Sequence, residues 1–196
     1  MISHPHKGIF IHVPKTAGTS IRRFLPFRGI NYHSAPDGSN DNKTGAYKMG
    51  AARRIKRGLE DVWDDYFKFT FVRNPWDRTV SCWKKNALGH KSFSSFLDAH
   101  PYRESNHNLI WHTLPQLDHI CDAKGKLIVD YIGRFENLQE DLGVVCDKLG
   151  IARRKLPHLN KSKHKPYWEY YVDSQREFVY DLYKREIEYF GYEFGN

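Results

Sequence analysis

The sequence predicts an α/β fold with a mostly parallel sheet. Three observations predict it. Residues 8–13 and 67–73 are short, β-branched and aromatic runs that read as strands. Each is followed by a tight loop and then by apolar residues at helical spacing. A third apolar run, residues 127–135, leads into another helical pattern. Strand, loop and helix in repetition build parallel sheets, and in such folds ligands bind beyond the C-terminal ends of the strands.

The first strand runs into Pro14 and a loop that ends near Ser20. Ile21, Phe24 and Leu25 then mark a helix that Pro26 stops. Residues 28–47, rich in Gly, Asn, Asp and Ser, read as a loop. Ala51, Ile55 and Leu59 fall on one face of the next helix, with Arg53, Arg54, Lys56 and Arg57 on its other sides. After the second strand, Asn74 is placed to cap a helix that has Pro75 in its first position. Residues 86–117 read as helix in pieces, broken at Pro101 and Pro115. The run 127–135 is one strand or a tight pair. Asn137 to Glu140 has the form of a capping box with Asn in place of Ser or Thr. Leu138, Leu142, Val145 and Leu149 mark the helix it opens, closed by Gly150. Residues 152–168 are basic and irregular. Asp173 is placed to cap a last helix carrying Val179, Leu182, Glu186 and Phe190 and ending at Gly191. No repeat or compositional break divides the chain, so residues 1–196 are expected to form a single domain.

With 40% hydrophobic and 15% aromatic residues, the chain is neither disordered nor low-complexity. Lys plus Arg is 31 and Asp plus Glu is 23, a formal net charge of +8. That surplus predicts an anionic partner: nucleic acid, a phosphorylated cofactor, an acidic polysaccharide or a membrane surface. No helix-turn-helix, finger or RNA-binding signature is present, so nucleic acid is not expected. The apolar run at the N-terminus, residues 9–13, is too short for a signal-peptide core or a membrane span, which predicts a cytoplasmic protein. Cys82, Cys121 and Cys146 lie far apart without a paired spacing and are expected as buried free thiols. His107, His112, His119 and Cys121 match no zinc spacing, and no metal is expected.

Two loops carry the chemistry. In Lys15-Thr16-Ala17-Gly18-Thr19-Ser20, a strand gives way to a tight turn and a helix start, which is the arrangement of a phosphate site. Gly18 lets backbone approach closely, the three hydroxyls offer donors, and Lys15 adds a mobile positive charge. The order is not that of a Walker A loop, whose Lys follows the second Gly; here Lys15 comes three residues before Gly18. In the second loop, Arg73 stands at a strand end and can grip a phosphate bidentately, with Ser81 about two turns into the following helix.

Together these loops resemble those of sulfotransferases that use 3′-phosphoadenosine 5′-phosphosulfate. The stretch from Ile11 to Ser20 is similar to that family's loop for the donor's 5′-phosphosulfate. Phe71-Val72-Arg73-Asn74-Pro75 with Ser81 is similar to its 3′-phosphate site. Arg134-Phe135-Glu136-Asn137-Leu138 resembles a third segment near the adenine. Residues 156–163 and the closing Phe190-Gly191-Tyr192 resemble bacterial carbohydrate-type members. The resemblance implies a P-loop-like three-layer fold, with a central, mostly parallel sheet flanked by helices.

It also implies a transferase that moves a sulfuryl group to a hydroxyl of an acceptor, a carbohydrate or another hydroxyl compound, anionic ones included. Lys15 would stabilise the leaving phosphate, and the loop from Lys15 through Thr16, Ala17, Gly18, Thr19 and Ser20 would hold the 5′-phosphate. Arg73 and Ser81 would hold the 3′-phosphate, Phe135 would lie near the adenine, and Lys163 would close over the ligand. The acceptor's proton needs a base. Relatives place a His before the helix that precedes the Arg strand, and Met49 stands there in this chain. Several alternatives remain open. His33, the favoured one, or Asp37 supplies the base from the long loop, with His12 a further candidate by proximity. Otherwise the protein is a non-catalytic nucleotide- or polyanion-binding module. A P-loop kinase is the remaining alternative, opposed by the missing Walker A order.

Overall fold

The computed structural model describes residues 1–27, 51–85, 90–99, 111–156 and 165–195. Among them runs a four-stranded sheet in the order β1-β2-β3-β4. Its strands are β1 (Ile2–Ser3), β2 (Gly8–Ile11), β3 (Phe67–Val72) and β4 (Tyr131–Arg134). β2 and β3 are parallel with Ile11 opposite Thr70, and β3 and β4 are parallel with Val72 opposite Arg134. β1 pairs antiparallel with β2. Two residues are too few to show a strand period, so β1 left no pattern in the sequence.

β2 and β3 divide their side chains between two cores. Ile9 and Ile11 of β2 and Val72 of β3 enter one, with Ala51, Ala52 and Ile55 of α2 (Ala51–Gly58), Trp76 and Val80 of α4 (Pro75–Lys85) and Ile187 of α8 (Asp173–Phe190). Phe10, Phe69 and Phe71 enter the other, with Ile21 and Phe24 of α1 (Gly18–Phe24) and Leu142, Val145 and Leu149 of α7 (Leu138–Leu149). Alternation to two apolar layers is what a sheet covered on both faces requires. The three-layer α/β architecture is therefore present. Shorter helices, α3 (Glu60–Trp63), α5 (Phe93–Asp98) and α6 (Gln116–Ile120), complete the first layer.

The local signals fared unevenly. Asn74 caps α4 as expected, its Oδ1 accepting the Trp76 N–H at 3.1 Å. Gly150 and Gly191 close α7 and α8 in the left-handed region, at φ 65° and 63°. The run 127–135 does not form one strand. Asp122 Oδ1 accepts the N–H groups of Lys124 and Lys126, at 2.8 and 2.9 Å. That turn returns Leu127 onto Cys121 as an isolated antiparallel bridge, and only Tyr131–Arg134 joins the sheet. The box at Asn137 does not form either. Phe135–Asn137 tightens into a 3-10 turn, and Asn137 Nδ2 donates instead to Asp141 Oδ1 at 3.1 Å. At α8 the brace is Gln175, whose Oε1 accepts the Val172 N–H, while Asp173 is the first helical residue. Cys82, Cys121 and Cys146 are buried thiols outside any disulfide. No helix of the described residues is long and apolar enough to cross a membrane.

Candidate functional site

The loop after β2 is built tightly. Lys15 and Ala17 both take positive φ, 73° and 62°, a conformation that costs an L-residue about 1 kcal/mol or more and turns the chain sharply. Thr16 is wholly buried, and its hydroxyl donates to the Val13 carbonyl at 2.8 Å, so it braces the loop from within. The Ala17 carbonyl accepts the Ser20 and Ile21 N–H groups, at 2.9 and 3.1 Å. Gly18 and Thr19 precede them as the first residues of α1, where backbone N–H groups have no helical acceptor. Gly18 is also fixed by contact. A Cβ there would lie 2.1 Å from Nε2 of His12, so the imidazole occupies the space a side chain would need.

Burial depresses two bases beside this loop. Lys15 is half-buried, and desolvation lowers its pKa from 10.5 to about 8; Arg73, Lys85 and Arg78 push the same way, while Cys82 opposes them. His12 is held down at about 4, first by burial and then by nearby positive groups including Arg22 and Lys15. A neutral imidazole with so low a pKa is a weak base, and its contact with Gly18 gives it a packing role.

The end of β3 is locked to that loop. Arg73 is buried. Its Nε and Nη2 both reach Asp77 Oδ2, at 2.8 and 2.7 Å, and its Nη1 donates to the Lys15 carbonyl at 3.1 Å. The guanidinium lies 4.0 Å above the Phe135 ring. The bidentate grip expected for a ligand is thus spent on Asp77. Of the five N–H donors of Arg73, three are engaged in these bonds. Ser81 stands one helical turn beyond Asp77, partly exposed, and Lys85 one turn beyond that. The candidate site thus brings Lys15, the start of α1, Arg73 and Phe135 together at the ends of β2 and β3, with Ser81 further along α4. His33, Asp37, Met49 and Lys163 lie outside the described residues.

A buried polar network, unmarked by any motif, stands behind these loops. Gln116 of α6 clasps the Arg73 backbone: its Oε1 accepts the Arg73 N–H at 2.9 Å and its Nε2 donates to the Arg73 carbonyl at 2.8 Å. Glu186 of α8 accepts both the backbone N–H of Gln116 and its Nε2, the latter at 3.1 Å. Arg78 places Nη1 3.8 Å from Glu186 and donates from Nε to the Pro14 carbonyl at 3.3 Å. Its Nη2 donates to the carbonyls of His112 and Leu114, at 3.1 and 2.6 Å. Burial pushes the Glu186 carboxyl up, and Arg78 and the N–H donors pull it back. No local spacing in the sequence marks Gln116, Arg78 or Glu186 as partners; Gln116 and Glu186 lie 43 and 113 residues from Arg73.

Two further segments close the site. Asn74 donates its N–H to Glu136 Oε1 at 2.7 Å, and the Tyr192 hydroxyl meets Glu136 Oε2 at 3.2 Å. Arg134 lies over the Tyr192 ring at 4.8 Å, and Asn74 Nδ2 donates to the Glu193 carbonyl at 2.9 Å. The end of β3, the turn after β4 and the residues after α8 therefore form one hydrogen-bonded surface. No group of three or more His, Cys, Asp or Glu among the described residues is arranged to hold a metal ion.

The chain is similar in sequence and in fold to known proteins. Carbohydrate sulfotransferase 11 of Mus musculus is 24% identical over 241 residues, spanning 100% of this chain and 67% of the relative. A protein of Archaeoglobus fulgidus is 33% identical over 101 residues, 46% of this chain and 72% of its own length. Among solved structures, the sulfotransferase from Alicyclobacillus acidocaldarius superposes with a TM-score of 0.55 at 18% identity, covering 95% of this chain and 94% of that one. That likeness establishes the P-loop-like fold of this chain. The model of the sulfotransferase family matches residues 1–193, nearly the whole chain, and the protein belongs to that family.

Proposed function

We propose that this sulfotransferase moves a sulfuryl group from 3′-phosphoadenosine 5′-phosphosulfate to a hydroxyl of a carbohydrate. One observation carries the reading: Arg73 Nη1 holds the Lys15 carbonyl, which sets a half-buried ammonium beside a guanidinium at the ends of two parallel strands. With Asp77 paired to Arg73, Lys15 and Arg73 still leave a net positive charge at the strand ends, which favours an anionic ligand.

In this reading the Gly18 and Thr19 N–H groups face the donor's 5′-phosphate, with Ser20 and Thr19 hydroxyls beside them. Lys15 neutralises the charge that develops on the leaving phosphate oxygen. The remaining N–H donors of Arg73, with Ser81, take the 3′-phosphate, and Phe135 borders the adenine. The acceptor oxygen forms a bond to sulfur as the bond from sulfur to the phosphate oxygen breaks. The leaving group is the 3′,5′-bisphosphate, and the acceptor's proton passes to a base, which we assign to His33. Lys163 is assigned to the donor-binding set. Positioning and charge stabilisation supply the rate, as in phosphoryl transfer. The names of the carbohydrate sulfotransferase relatives support the acceptor class.

Transfer of labelled sulfate across a panel of oligosaccharides tests the assignment. Lys15→Ala is expected to abolish turnover while keeping most nucleotide affinity, and unchanged turnover would sink it. Tight bisphosphate binding by wild type, without transfer to any acceptor, would favour a binding module instead.

A further inference from the structure

We infer that Glu186 is a positioning residue for both donor loops, setting the Arg73 backbone through Gln116 and the Pro14 backbone through Arg78. The inference rests on the donor reading above and adds a residue which that reading does not use.

Glu186 is 1% exposed and Arg78 2%, so neither is placed by solvent. A carboxylate only accepts hydrogen bonds, and donors from Gln116 and Arg78 surround this one. The side chain of Gln116 has one workable orientation. Its Nε2 must face both Glu186 and the Arg73 carbonyl, and its Oε1 must face the Arg73 N–H. Flipping the amide would set donor against donor at Arg73 and acceptor against acceptor at the carbonyl and at Glu186. The charge on α8 therefore fixes the polarity of an amide, and the amide fixes the strand end that carries the guanidinium.

The second branch ends on the other loop. Arg78 lies between Glu186 and the carbonyl of Pro14, the residue immediately before Lys15. Its remaining Nη2 bonds hold the segment at His112 and Leu114, and the Tyr183 ring lies 5.7 Å from its guanidinium carbon. Tyr183 is also where α8 departs from helical geometry, at φ −115°, with its hydroxyl donating to the Thr113 carbonyl at 2.7 Å. The last helical turns, and Glu186 with them, are thus tied to the same 112–114 segment that Arg78 holds. A network whose members are all satisfied is rigid, and removing one buried partner leaves the others uncompensated.

A purely structural role would lower stability and leave the folded protein's ligand preference untouched. A positioning role changes the preference. The test compares calorimetric affinities for 3′-phosphoadenosine 5′-phosphate and for 5′-AMP in wild type, Gln116→Met and Glu186→Gln, at a temperature where circular dichroism shows each folded. Wild type is expected to prefer the bisphosphate. Gln116→Met, which keeps length but loses the clasp on Arg73, is expected to cut that preference by roughly tenfold with 5′-AMP affinity near wild type. Glu186→Gln, which also loosens Arg78, is expected to weaken both ligands. If Glu186→Gln does not fold, Gln116→Met decides alone. Folded variants that keep the wild-type preference within about twofold would overturn the positioning role and leave the donor reading intact. A wild type without any preference for the bisphosphate would overturn both.

Discussion

Arg73 Nη1 donates to the Lys15 carbonyl at 3.1 Å, so the arginine at one strand end holds the backbone of the lysine at the next. The bond fixes where Lys15 starts from. The same guanidinium also helps to lower the proton affinity of Lys15, after the larger effect of burial. An anion between the two relieves both costs.

The first expectation concerns pH. Lys15 in the free protein holds its proton only below about pH 8. If its charge stabilises the leaving group, kcat/KM falls above pH 8 by roughly tenfold per unit. Bound donor raises the lysine's pKa, so the break in kcat lies at higher pH. A kcat/KM profile flat to pH 10 would remove Lys15 from the charge-stabilising role.

Stability should move the other way. The folded pKa of Lys15 is about 8 against 10.5 for an unperturbed lysine. Between these values the unfolded chain binds the extra proton, so the contribution of Lys15 to folding improves as pH rises from 8 to 10.5. Below pH 8 the protein carries the whole cost, on the order of 3 kcal/mol before any relief by solvent. Lys15→Met keeps most of the aliphatic stem and removes the charge. It is expected to raise Tm at pH 7 by at least about 2 °C while abolishing turnover. A lower Tm in a thermal melt at pH 7 would show that the charge is not destabilising.

How much of this was legible follows from distance along the chain. The loop from Lys15 to Ser20, and Arg73 with Ser81, are local patterns attached to strands, so composition and spacing exposed them. Thr16 illustrates the limit: it reads as a ligand donor, yet the folded loop turns its hydroxyl onto Val13. Glu186 reads as one more charge on an amphipathic helix. Its position against Gln116 and Arg78 is a product of α8 packing on α4, which no local period encodes. The turn at Asp122 and the failed box at Asn137 are side-chain choices between competing backbone partners, and tertiary contacts decide those.

Gly18 and His12 should couple. Gly18→Ala puts a methyl group 2.1 Å from the imidazole, which must move or displace the loop. The single substitution is expected to cost roughly 1–3 kcal/mol and to weaken nucleotide binding. His12→Ala opens that space, so the double variant should recover binding relative to Gly18→Ala alone. Strict additivity in a double-mutant cycle would contradict the contact.

Arg73→Lys keeps the charge and should still behave as a severe substitution. The guanidinium does four things at once: two N–H groups reach Asp77, a third holds the Lys15 carbonyl, and its face covers Phe135 at 4.0 Å. An ammonium offers three donors at a single point and no flat face, so it cannot reach Asp77 and Lys15 together or stack. Losing these buried bonds is expected to cost about 1–3 kcal/mol of stability. The Lys15 carbonyl is then unheld, and the loop and the 3′-phosphate site should suffer together. Bisphosphate affinity is expected to drop by roughly tenfold or more, with a smaller loss for 5′-AMP. Calorimetry on the folded variant measures both. If Arg73→Lys binds the bisphosphate within about twofold of wild type, charge alone suffices at this position and the fork geometry contributes nothing to binding.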